Sequence, residues 1–226
     1  MKYKFIDISD TTISFNFSEK IDSGINSKIV ELSFKINENF KNLNIISCFP
    51  TYNSLIIDYD PLNTDRLTLK DKISELIKNF KFKNSQSEEI FQVDVNYGGE
   101  YGEDLEEISK LLNISEKEII NIHSSTIYHV YMIGFSPGFP YLGGLDKRLV
   151  CPRLDSPRQE VPAGSVGIAD QQTGIYPFKS SGGWRLIGKT DEKLFDYNLD
   201  PPSIIRPGAK YVGSDPLDFV PINERD

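Results

Sequence analysis

The sequence is poor in the residues that build metal centres and disulfide frameworks. It contains two cysteines, Cys48 and Cys151, and two histidines, His123 and His129, among 226 residues. The cysteines lie far apart, and neither histidine has a second ligand at a zinc-type spacing, so the pattern predicts no metal site. Separated cysteines without a framework fit a reducing compartment, and we expect a cytoplasmic protein.

An export signal and a membrane span are also missing from the pattern. The first seven residues carry no apolar core of the length that a signal peptide needs. Residues 124–145 contain no Asp, Glu, Lys or Arg, but Gly134, Pro137, Gly138 and Pro140 would break a membrane helix there. The segment is therefore predicted to be a buried strand followed by a loop.

Clusters of positive charge are absent as well. The formal net charge is −8, and an acidic chain without basic clusters is a poor partner for nucleic acid or an anionic membrane. Hydrophobic residues make up 38% of the chain and aromatic residues 12%, which is enough to build cores and excludes a disordered polypeptide. The length suits one large or two small domains.

Glycine and proline are concentrated between residues 134 and 188, together with the only tryptophan, Trp184. Because glycine opens backbone conformations closed to other residues and proline fixes φ, this density predicts short strands joined by tight turns. The chain otherwise prefers lysine, yet several arginines fall in this stretch: Arg148, Arg153, Arg158 and Arg185. They either present a planar, multi-donor fork to an anion or simply tie loops together.

Residues 1–84 are predicted to form a small α+β (ferredoxin-like) domain, with two helices on one face of an antiparallel sheet. The helices are expected to begin with caps at Ser23 and at Thr68, the latter in a capping box with Asp71. Nothing in this domain looks catalytic. Alternating apolar residues predict its four strands: Tyr3–Ile8, Thr12–Phe17, Asn44–Phe49 and Ser54–Tyr59.

Residues 85–226 are predicted to form a second domain that begins with a strand at Ile90–Val95. Helices are expected at Leu105–Leu112 and from Ser115, with Asp104 as the structural N-cap of the first. Glu100, in the glycine-rich segment before that helix, is either a functional acid or a plain partner of the helix dipole. A further strand is predicted at residues 161–168, and one or two edge strands at residues 212–220.

Two motif matches fail on chemistry. Gly134–Gly138 fits the nucleophile-elbow pattern G-x-S-x-G, but Pro137 lacks the N–H that the oxyanion hole requires after the serine. Gly183–Thr190 fits the phosphate-loop pattern G-x-x-x-x-G-K-[ST], but its four middle residues are bulky strand formers. We therefore predict a strand there and no nucleotide-binding loop.

His123 lies between a predicted helix end and the strand that leads into the glycine-rich stretch. An imidazole there is a candidate general base or substrate ligand, and the alternative is a contact with the end of the preceding helix. His129 is expected to pack or to face solvent. The other candidate residues have the composition of a small-molecule or peptide pocket, or of a packed barrel with ordinary corners: Arg153, Arg158, Ser165, Gln172, Thr173, Tyr176 and Arg185, with Phe139, Tyr141 and Trp184 as apolar walls.

Several ordered segments follow one known pattern: Gly134–Leu145 (GFSPGFPYLGGL), the Pro-Arg pairs at 152–153 and 157–158, Val161–Ile168 (VPAGSVGI), Gln172–Pro177 (QTGIYP) and Gly182–Gly188 (GGWRLIG). Residues 97–105 match the same pattern. In these segments the sequence resembles the family that contains the B subunit of the prokaryotic 5-oxoprolinase, the kinase inhibitor KipI and the allophanate hydrolase subunit 1 domain. The resemblance does not separate these members.

The resemblance implies a cyclophilin-like β-barrel from about residue 90 onward. It implies the B subunit of an ATP-dependent 5-oxoprolinase, a hydrolase that converts 5-oxo-L-proline to L-glutamate with an A-type and a C-type (KipA-like) subunit. ATP would be bound by, or shared with, those partners. Within this interpretation His123 or Glu100 would move protons, and Arg153 or Arg158 would hold a carboxylate or a phosphate. A KipI-like inhibitor of a sensor histidine kinase and an allophanate hydrolase-type role stay open as alternatives.

Overall fold

The computed structural model describes residues 1–39, 43–82 and 90–215. The chain divides into two compact units, Met1–Ser87 and Glu88–Asp226. The predicted domain boundary between residues 84 and 85 lies outside the described residues and stays a prediction. No helix in the described part of the chain is long and apolar enough to cross a membrane.

In its described residues, the first unit is a four-stranded antiparallel sheet with two α-helices. Its strands follow the spatial order β1-β2-β4-β3. The predicted α+β class is confirmed, but the chain order ββαββα differs from the βαββαβ order of a ferredoxin-like unit because it opens with a hairpin. The elements are β1 (Lys4–Asp7), β2 (Thr12–Asn16), α1 (Ser23–Asn39), β3 (Ile45–Pro50), β4 (Ser54–Tyr59) and α2 (Arg66–Asn79).

In the core of the first unit, apolar side chains on one face of each helix pack against apolar side chains on one face of the sheet. Ile29, Leu32 and Ile36 share one face of α1, as Leu69, Ile73 and Ile77 share one face of α2. They pack in one cluster with strand residues that are also buried: Ile13, Phe15, Leu55 and Ile57. Burying these side chains holds the helices against the sheet.

Both helices of the first unit begin with an aspartate cap and not with the predicted residue. Asp22 Oδ1 accepts the Ile25 N–H at 2.8 Å, and Asp65 Oδ2 accepts the Thr68 N–H at 2.8 Å. Ser23 and Thr68 therefore lie inside the first turns of their helices, and the predicted caps were wrong. An aspartate immediately before each helix already supplies an oxygen to the unpaired N–H groups of the first turn.

Within residues 90–215, the second unit contains an eight-stranded sheet, a two-stranded sheet and two α-helices. The larger sheet has the order β5-β14-β7-β8-β11-β10-β13-β6, and β9 pairs with β12. Its elements are β5 (Ile90–Asp94), β6 (Asn96–Tyr97), α3 (Leu105–Leu112), α4 (Glu116–Ser125), β7 (Tyr128–Ile133), β8 (Pro140–Gly143), a short 3₁₀-helix (Lys147–Leu149), β9 (Arg158–Val161), β10 (Ser165–Ala169), β11 (Gln172–Ile175), β12 (Ser180–Gly182), β13 (Arg185–Lys189) and β14 (Lys210–Ser214).

The two end strands of the larger sheet, β5 and β6, are neighbours in the sequence. Only Val95 lies between them, so the sheet bends back on itself as a barrel. This confirms the predicted barrel. Strand β14 is parallel to β5 and antiparallel to β7, so it is an interior strand and the predicted edge position was wrong. The rest of the predicted segment, residues 216–220, lies outside the described residues.

The helices of the second unit supply part of the barrel core. Leu105 and Ile108 from α3 and Ile119 from α4 are buried in the same cluster as Val166 and Ile187 from the strands. The bounds of α3 match the prediction. The predicted cap of α4 is also confirmed, because Ser115 Oγ accepts the Glu118 N–H at 3.2 Å.

Candidate functional site

A cluster of charged side chains lies where the N-terminus of α3 meets β9 and β13. Arg158 Nε is 2.9 Å from Glu103 Oε1, and Arg158 Nη2 donates to Asp104 Oδ1 at 2.6 Å. Arg185 Nη1 forms an ion pair with Glu107 Oε1 at 2.9 Å. Two guanidinium groups thus face three carboxylates, which leaves the cluster with a net charge of −1.

Asp104 is the buried centre of this cluster, and its side chain does not cap α3. Oδ1 pairs with Arg158, while Oδ2 accepts the Leu186 N–H at 2.6 Å. The Asp104 backbone N–H also donates to the Leu186 carbonyl, at 3.0 Å. The predicted capping role of the side chain was therefore wrong, because the carboxylate is used to join α3 to β9 and β13.

Arg158 has one nitrogen that the cluster leaves unused. Its Nη1 is buried and has no hydrogen-bond partner within residues 1–39, 43–82 and 90–215. A buried donor without an acceptor costs about 1–3 kcal/mol, so proteins seldom keep one without a reason. The side chain as a whole is 23% exposed, which places the guanidinium just below the surface.

The predicted apolar walls form a packed aromatic cluster beside β9. Phe139 makes edge-on contacts with Tyr176 and Trp184, at ring-centroid distances of 5.2 Å and 5.4 Å. The approach depends on Gly174, where a Cβ would lie 2.9 Å from both the Phe139 and the Trp184 rings. Because all three rings are buried, they belong to a small core, and Tyr141 is partly buried at its edge.

The Tyr176 hydroxyl lies next to the arginine cluster. Burial raises the pKa of Tyr176, while a hydrogen bond from the Trp184 backbone N–H and the charges of Arg153 and Arg158 oppose this rise. A Cβ at Gly182 would overlap the hydroxyl, and Gly182 is the residue that pairs with Arg158 across the β9–β12 sheet. The hydroxyl is therefore protonated at neutral pH and lies beside the strand that carries Arg158.

The β7–β8 connection carries two unusual residues. Phe135 has φ of +66°, a strained conformation for a bulky residue. The residue is 62% exposed, and its ring lies edge-on to the rings of Phe139 and Tyr176. Ser136 Oγ is buried, with no hydrogen-bond partner in the described part of the chain. A buried hydroxyl followed by Pro137 agrees with the prediction that the nucleophile-elbow match is accidental.

His123 is fully buried and belongs to a chain of hydrogen bonds through the barrel. Its Nδ1 is 2.8 Å from the Tyr97 hydroxyl, and its Nε2 is 2.9 Å from Thr173 Oγ1. Because Thr173 Oγ1 donates its one hydrogen to the Gly167 carbonyl, Nε2 must donate to Thr173 and Nδ1 must accept from Tyr97. Burial lowers the pKa of His123 to about 3, which agrees with this neutral tautomer.

The candidate catalytic residues are thus in very different settings. Both His123 nitrogens are engaged inside the barrel, so its role as a general base stays a prediction that this arrangement does not favour. Glu100 lies in an exposed turn before α3, open to solvent, and its role also stays a prediction. His129 is partly buried on β7, beside Tyr131.

The remaining predicted residues divide into two groups. Arg158, Tyr176, Phe139 and Trp184 come together in the site, and Arg153 lies near enough for its charge to influence Tyr176, although its own partner is Asp170 at 3.2 Å. A second group lies within the barrel strands: Ser165 at the start of β10, and Gln172 and Thr173 on β11.

Sequence reasoning assigned Asp104 to a helix cap and missed its pairing with Arg158, and it did not predict the strained conformation of Phe135. Two acidic residues before a helix, Glu103 and Asp104, are usually interpreted as partners of the helix dipole. Nothing in the nearby sequence predicts that Asp104 pairs with Arg158, which is 54 positions away. For Phe135 and Ser136, the flanking Gly134 and Pro137 predict a turn, but they do not predict that Phe135 adopts a positive φ. No group of acidic, histidine or cysteine side chains in the described residues is arranged to hold a metal ion.

The sequence pattern of the family described as "Carboxyltransferase domain, subdomain C and D" matches residues 3–205. This chain belongs to that family. Among curated relatives of this carboxyltransferase-domain chain is the 5-oxoprolinase B subunit of Bacillus subtilis (strain 168), with 37% identity over 240 residues. The match covers 100% of this chain and 95% of the relative, and it confirms the family that the motifs indicated.

Solved structures support the fold of the carboxyltransferase-domain chain. The crystal structure of TTHA0988 superposes with a TM-score of 0.79 at 29% identity, covering 91% of this chain and 39% of that one. This chain therefore spans about two fifths of that longer protein. The urea carboxylase of Kluyveromyces lactis superposes with a TM-score of 0.77 at 18% identity, over 94% of this chain and 22% of that one, which shows a shared fold.

Proposed function

We propose that this chain is the B subunit of an ATP-dependent 5-oxoprolinase, which hydrolyses 5-oxo-L-proline to L-glutamate with an A-type and a C-type (KipA-like) subunit. The observation that carries the proposal is the end-to-end match, at 37% identity, to the Bacillus subtilis protein of that name. A match over 100% of one chain and 95% of the other supports a shared role for the whole polypeptide.

The proposed reaction breaks the ring C–N bond of a lactam. Water supplies the hydroxyl that joins the carbonyl carbon, and the nitrogen gains a proton to become the amino group of glutamate. An amide carbon is a poor electrophile, so the γ-phosphoryl group of ATP would be transferred to its oxygen with ADP as the leaving group, and a second water would release the phosphoryl group as inorganic phosphate. This chain would contribute donors that orient the substrate, from Arg158 and Tyr176, and an exposed acid, Glu100.

ATP is proposed to bind to the partner subunits or to be shared with them. The segment that resembles a phosphate loop runs into strand β13, which pairs with β10, and its Leu186 N–H donates to Asp104 Oδ2. Its backbone is therefore extended and does not form a loop that wraps a phosphate. A cytoplasmic setting is part of the proposal, since Cys48 and Cys151 are unpaired, buried thiols.

The test is to co-express this chain with its candidate A-type and C-type partners and to measure glutamate release from 5-oxo-L-proline. We expect release that requires ATP and that disappears when this chain is omitted. An assembled three-component complex that releases no glutamate would contradict the proposal. In that case, binding to a sensor histidine kinase, with loss of its autophosphorylation, is the measurement for the KipI-like alternative.

A further inference from the structure

We propose that Arg158 Nη1 and the Tyr176 hydroxyl form a two-donor subsite for the uncharged carbonyl oxygen of an amide or lactam. The subsite is not one for a carboxylate or a phosphate. The identity of the ligand, the lactam carbonyl of 5-oxo-L-proline, rests on the proposed function. The preference for an uncharged oxygen rests on the geometry and charges of this chain.

The first support is the unused hydrogen-bonding capacity of Arg158. Glu103 and Asp104 occupy Nε and Nη2, which fixes the plane of the guanidinium and leaves Nη1 as a buried donor without an acceptor in the described residues. A donor that is already desolvated and held in place needs no rearrangement of its own to bind an oxygen, so it is preorganised for one.

The second support is the position of Tyr176. Gly182 pairs with Arg158 across the β9–β12 sheet, and the Tyr176 hydroxyl fills the space that a Gly182 side chain would take. The Trp184 backbone N–H acts on the hydroxyl oxygen, and a tyrosine hydroxyl that accepts from an N–H can still donate its own hydrogen. Both donor groups therefore lie at the Arg158–Gly182 pair of the small sheet.

The third support is the local charge. Glu103, Asp104 and Glu107 outnumber Arg158 and Arg185, and Arg153 is paired with Asp170, so the surroundings carry a net negative charge. Such surroundings repel phosphate strongly and a carboxylate to a lesser degree. A neutral carbonyl oxygen accepts both hydrogen bonds without that repulsion. Arg158 is thereby assigned to the reacting end of the substrate and not to its carboxylate.

The experiment uses the full chain and Trp184, the single tryptophan, as a fluorescent reporter beside Tyr176. The chain is titrated with 5-oxo-L-proline, with 2-pyrrolidinone, which has the lactam but no carboxylate, with L-proline, which has the carboxylate but no lactam carbonyl, and with inorganic phosphate. Variants are Arg158→Lys, which keeps a positive charge beside Asp104 but has no planar fork, and Tyr176→Phe. Arg148→Gln is the matched control, because Arg148 is an exposed arginine paired with Asp146 and Glu118.

We expect both lactams to bind the wild type and Arg148→Gln alike, and about tenfold or more weakly to Arg158→Lys, as loss of a charge-assisted hydrogen bond predicts. Tyr176→Phe should weaken both lactams by a smaller factor. The proposal is overturned if L-proline or phosphate shows the same dependence on Arg158, or if neither lactam depends on it. Far-ultraviolet circular dichroism and thermal unfolding establish that each variant is folded.

The same variants separate this inference from the proposed function. In the assembled complex, Arg158→Lys should lower kcat/KM for 5-oxo-L-proline, with kcat reduced as well as KM raised. An active complex that is indifferent to Arg158→Lys refutes the subsite and leaves the function standing. A complex that releases no glutamate, combined with Arg158-dependent lactam binding by this chain, refutes the function and leaves the subsite standing.

Discussion

The two units of the chain bury different kinds of polar group. In the described residues of the first unit, the buried polar side chains are neutral: Ser14, Asn26, Ser33 and Ser54. The second unit buries side chains that carry or can carry charge, among them Asp104, His123 and Arg185. The first unit is therefore held mainly by apolar packing, whereas the second also depends on specific pairings of charged groups.

The partners of the buried polar groups lie at different distances along the chain, from a few positions for Ser33 to 25 for Asn26, which donates to the Thr51 carbonyl. Ser33 Oγ donates to the Val30 carbonyl only three positions away, at 2.7 Å. Asp104 instead joins Arg158 and Leu186, which are 54 and 82 positions away. Loss of one member of a buried charge pair leaves its partner uncompensated, which costs more than loss of a neutral hydrogen bond.

The largest effect is expected at Asp104. Asp104→Ala removes the acceptor for Leu186 and leaves Arg158 without its buried partner, so the free energy of unfolding should fall by about 3–5 kcal/mol. Asp104→Asn keeps an acceptor oxygen and should lose less. Urea unfolding followed by Trp184 fluorescence gives both values, and an alanine variant as stable as the wild type would show that the charge pair is dispensable.

The second largest effect on stability is expected from a packing defect in the core of the first unit. Ile57 is fully buried on β4, and Ile57→Ala should lower the stability of its own unit by about 2–5 kcal/mol. Hydrogen exchange should become faster in α1 and α2. Ile46→Ala on β3 is the matched control, because Ile46 is 71% exposed and should change little. Equal effects at the two positions would refute the description of this core.

A pH dependence should appear in the second unit through His123. The pKa of His123 is about 3 in the fold against an ordinary value of 6.5, so between these values the unfolded chain binds a proton that the fold does not. This contribution to stability is complete above pH 6.5 and is lost as the pH falls toward 3. His123→Gln should flatten the pH dependence of urea unfolding.

His129 provides the internal comparison for that measurement. Burial, and then the charge of Lys210, lowers the pKa of His129 to about 4, so its effect has the same sign over a narrower interval. His129→Gln should therefore remove a smaller part of the acid sensitivity than His123→Gln. The opposite order would mean that the imidazole buried in the barrel is not the main acid-sensitive group.

The smallest effect is expected on the outer surface of α3. Lys110 and Glu106 form an exposed pair one helical turn apart, and solvent screens such pairs strongly. Lys110→Gln should leave thermal unfolding unchanged within the error of the measurement, in contrast to Asp104→Ala a few residues away. A clear loss of stability would show that exposure is a poor guide to the value of a charge pair in this unit.

Much of the fold was predictable because its signals are local. Leu105 and Ile108, with the polar residues between them, are enough to place α3, and alternation placed the hairpins of the first unit. The caps at Asp22 and Asp65 were missed because serine or threonine nearby satisfies the same rule. The interior place of β14 was missed because its pairing with β5 joins residues 120 positions apart.

The candidate site was predictable only in its composition. Arginine in a lysine-preferring chain drew attention to Arg148, Arg153, Arg158 and Arg185 without ranking them, and Phe139, Tyr141 and Trp184 were predicted as a set of apolar walls. The sequence does not show which carboxylate pairs with each arginine. It also does not show which guanidinium nitrogen has no acceptor. For His123, a position near a helix end is compatible with a general base and with a contact to the end of that helix. The structure places it in the last turn of α4, where it is buried and both ring nitrogens have hydrogen-bond partners.

Because the barrel closes through Val95, the two units of the chain differ in when they can fold during synthesis on the ribosome. Strand β5 leaves the ribosome early, but its partner β14 is translated about 120 residues later. The first unit has all of its described strands and helices before β5 emerges and can fold at once. The second must wait, with β5 and β7 unpaired on the sides that β14 will cover. We expect chains interrupted before Lys210 to keep these strand edges open and to aggregate, whereas the first unit within them is already folded.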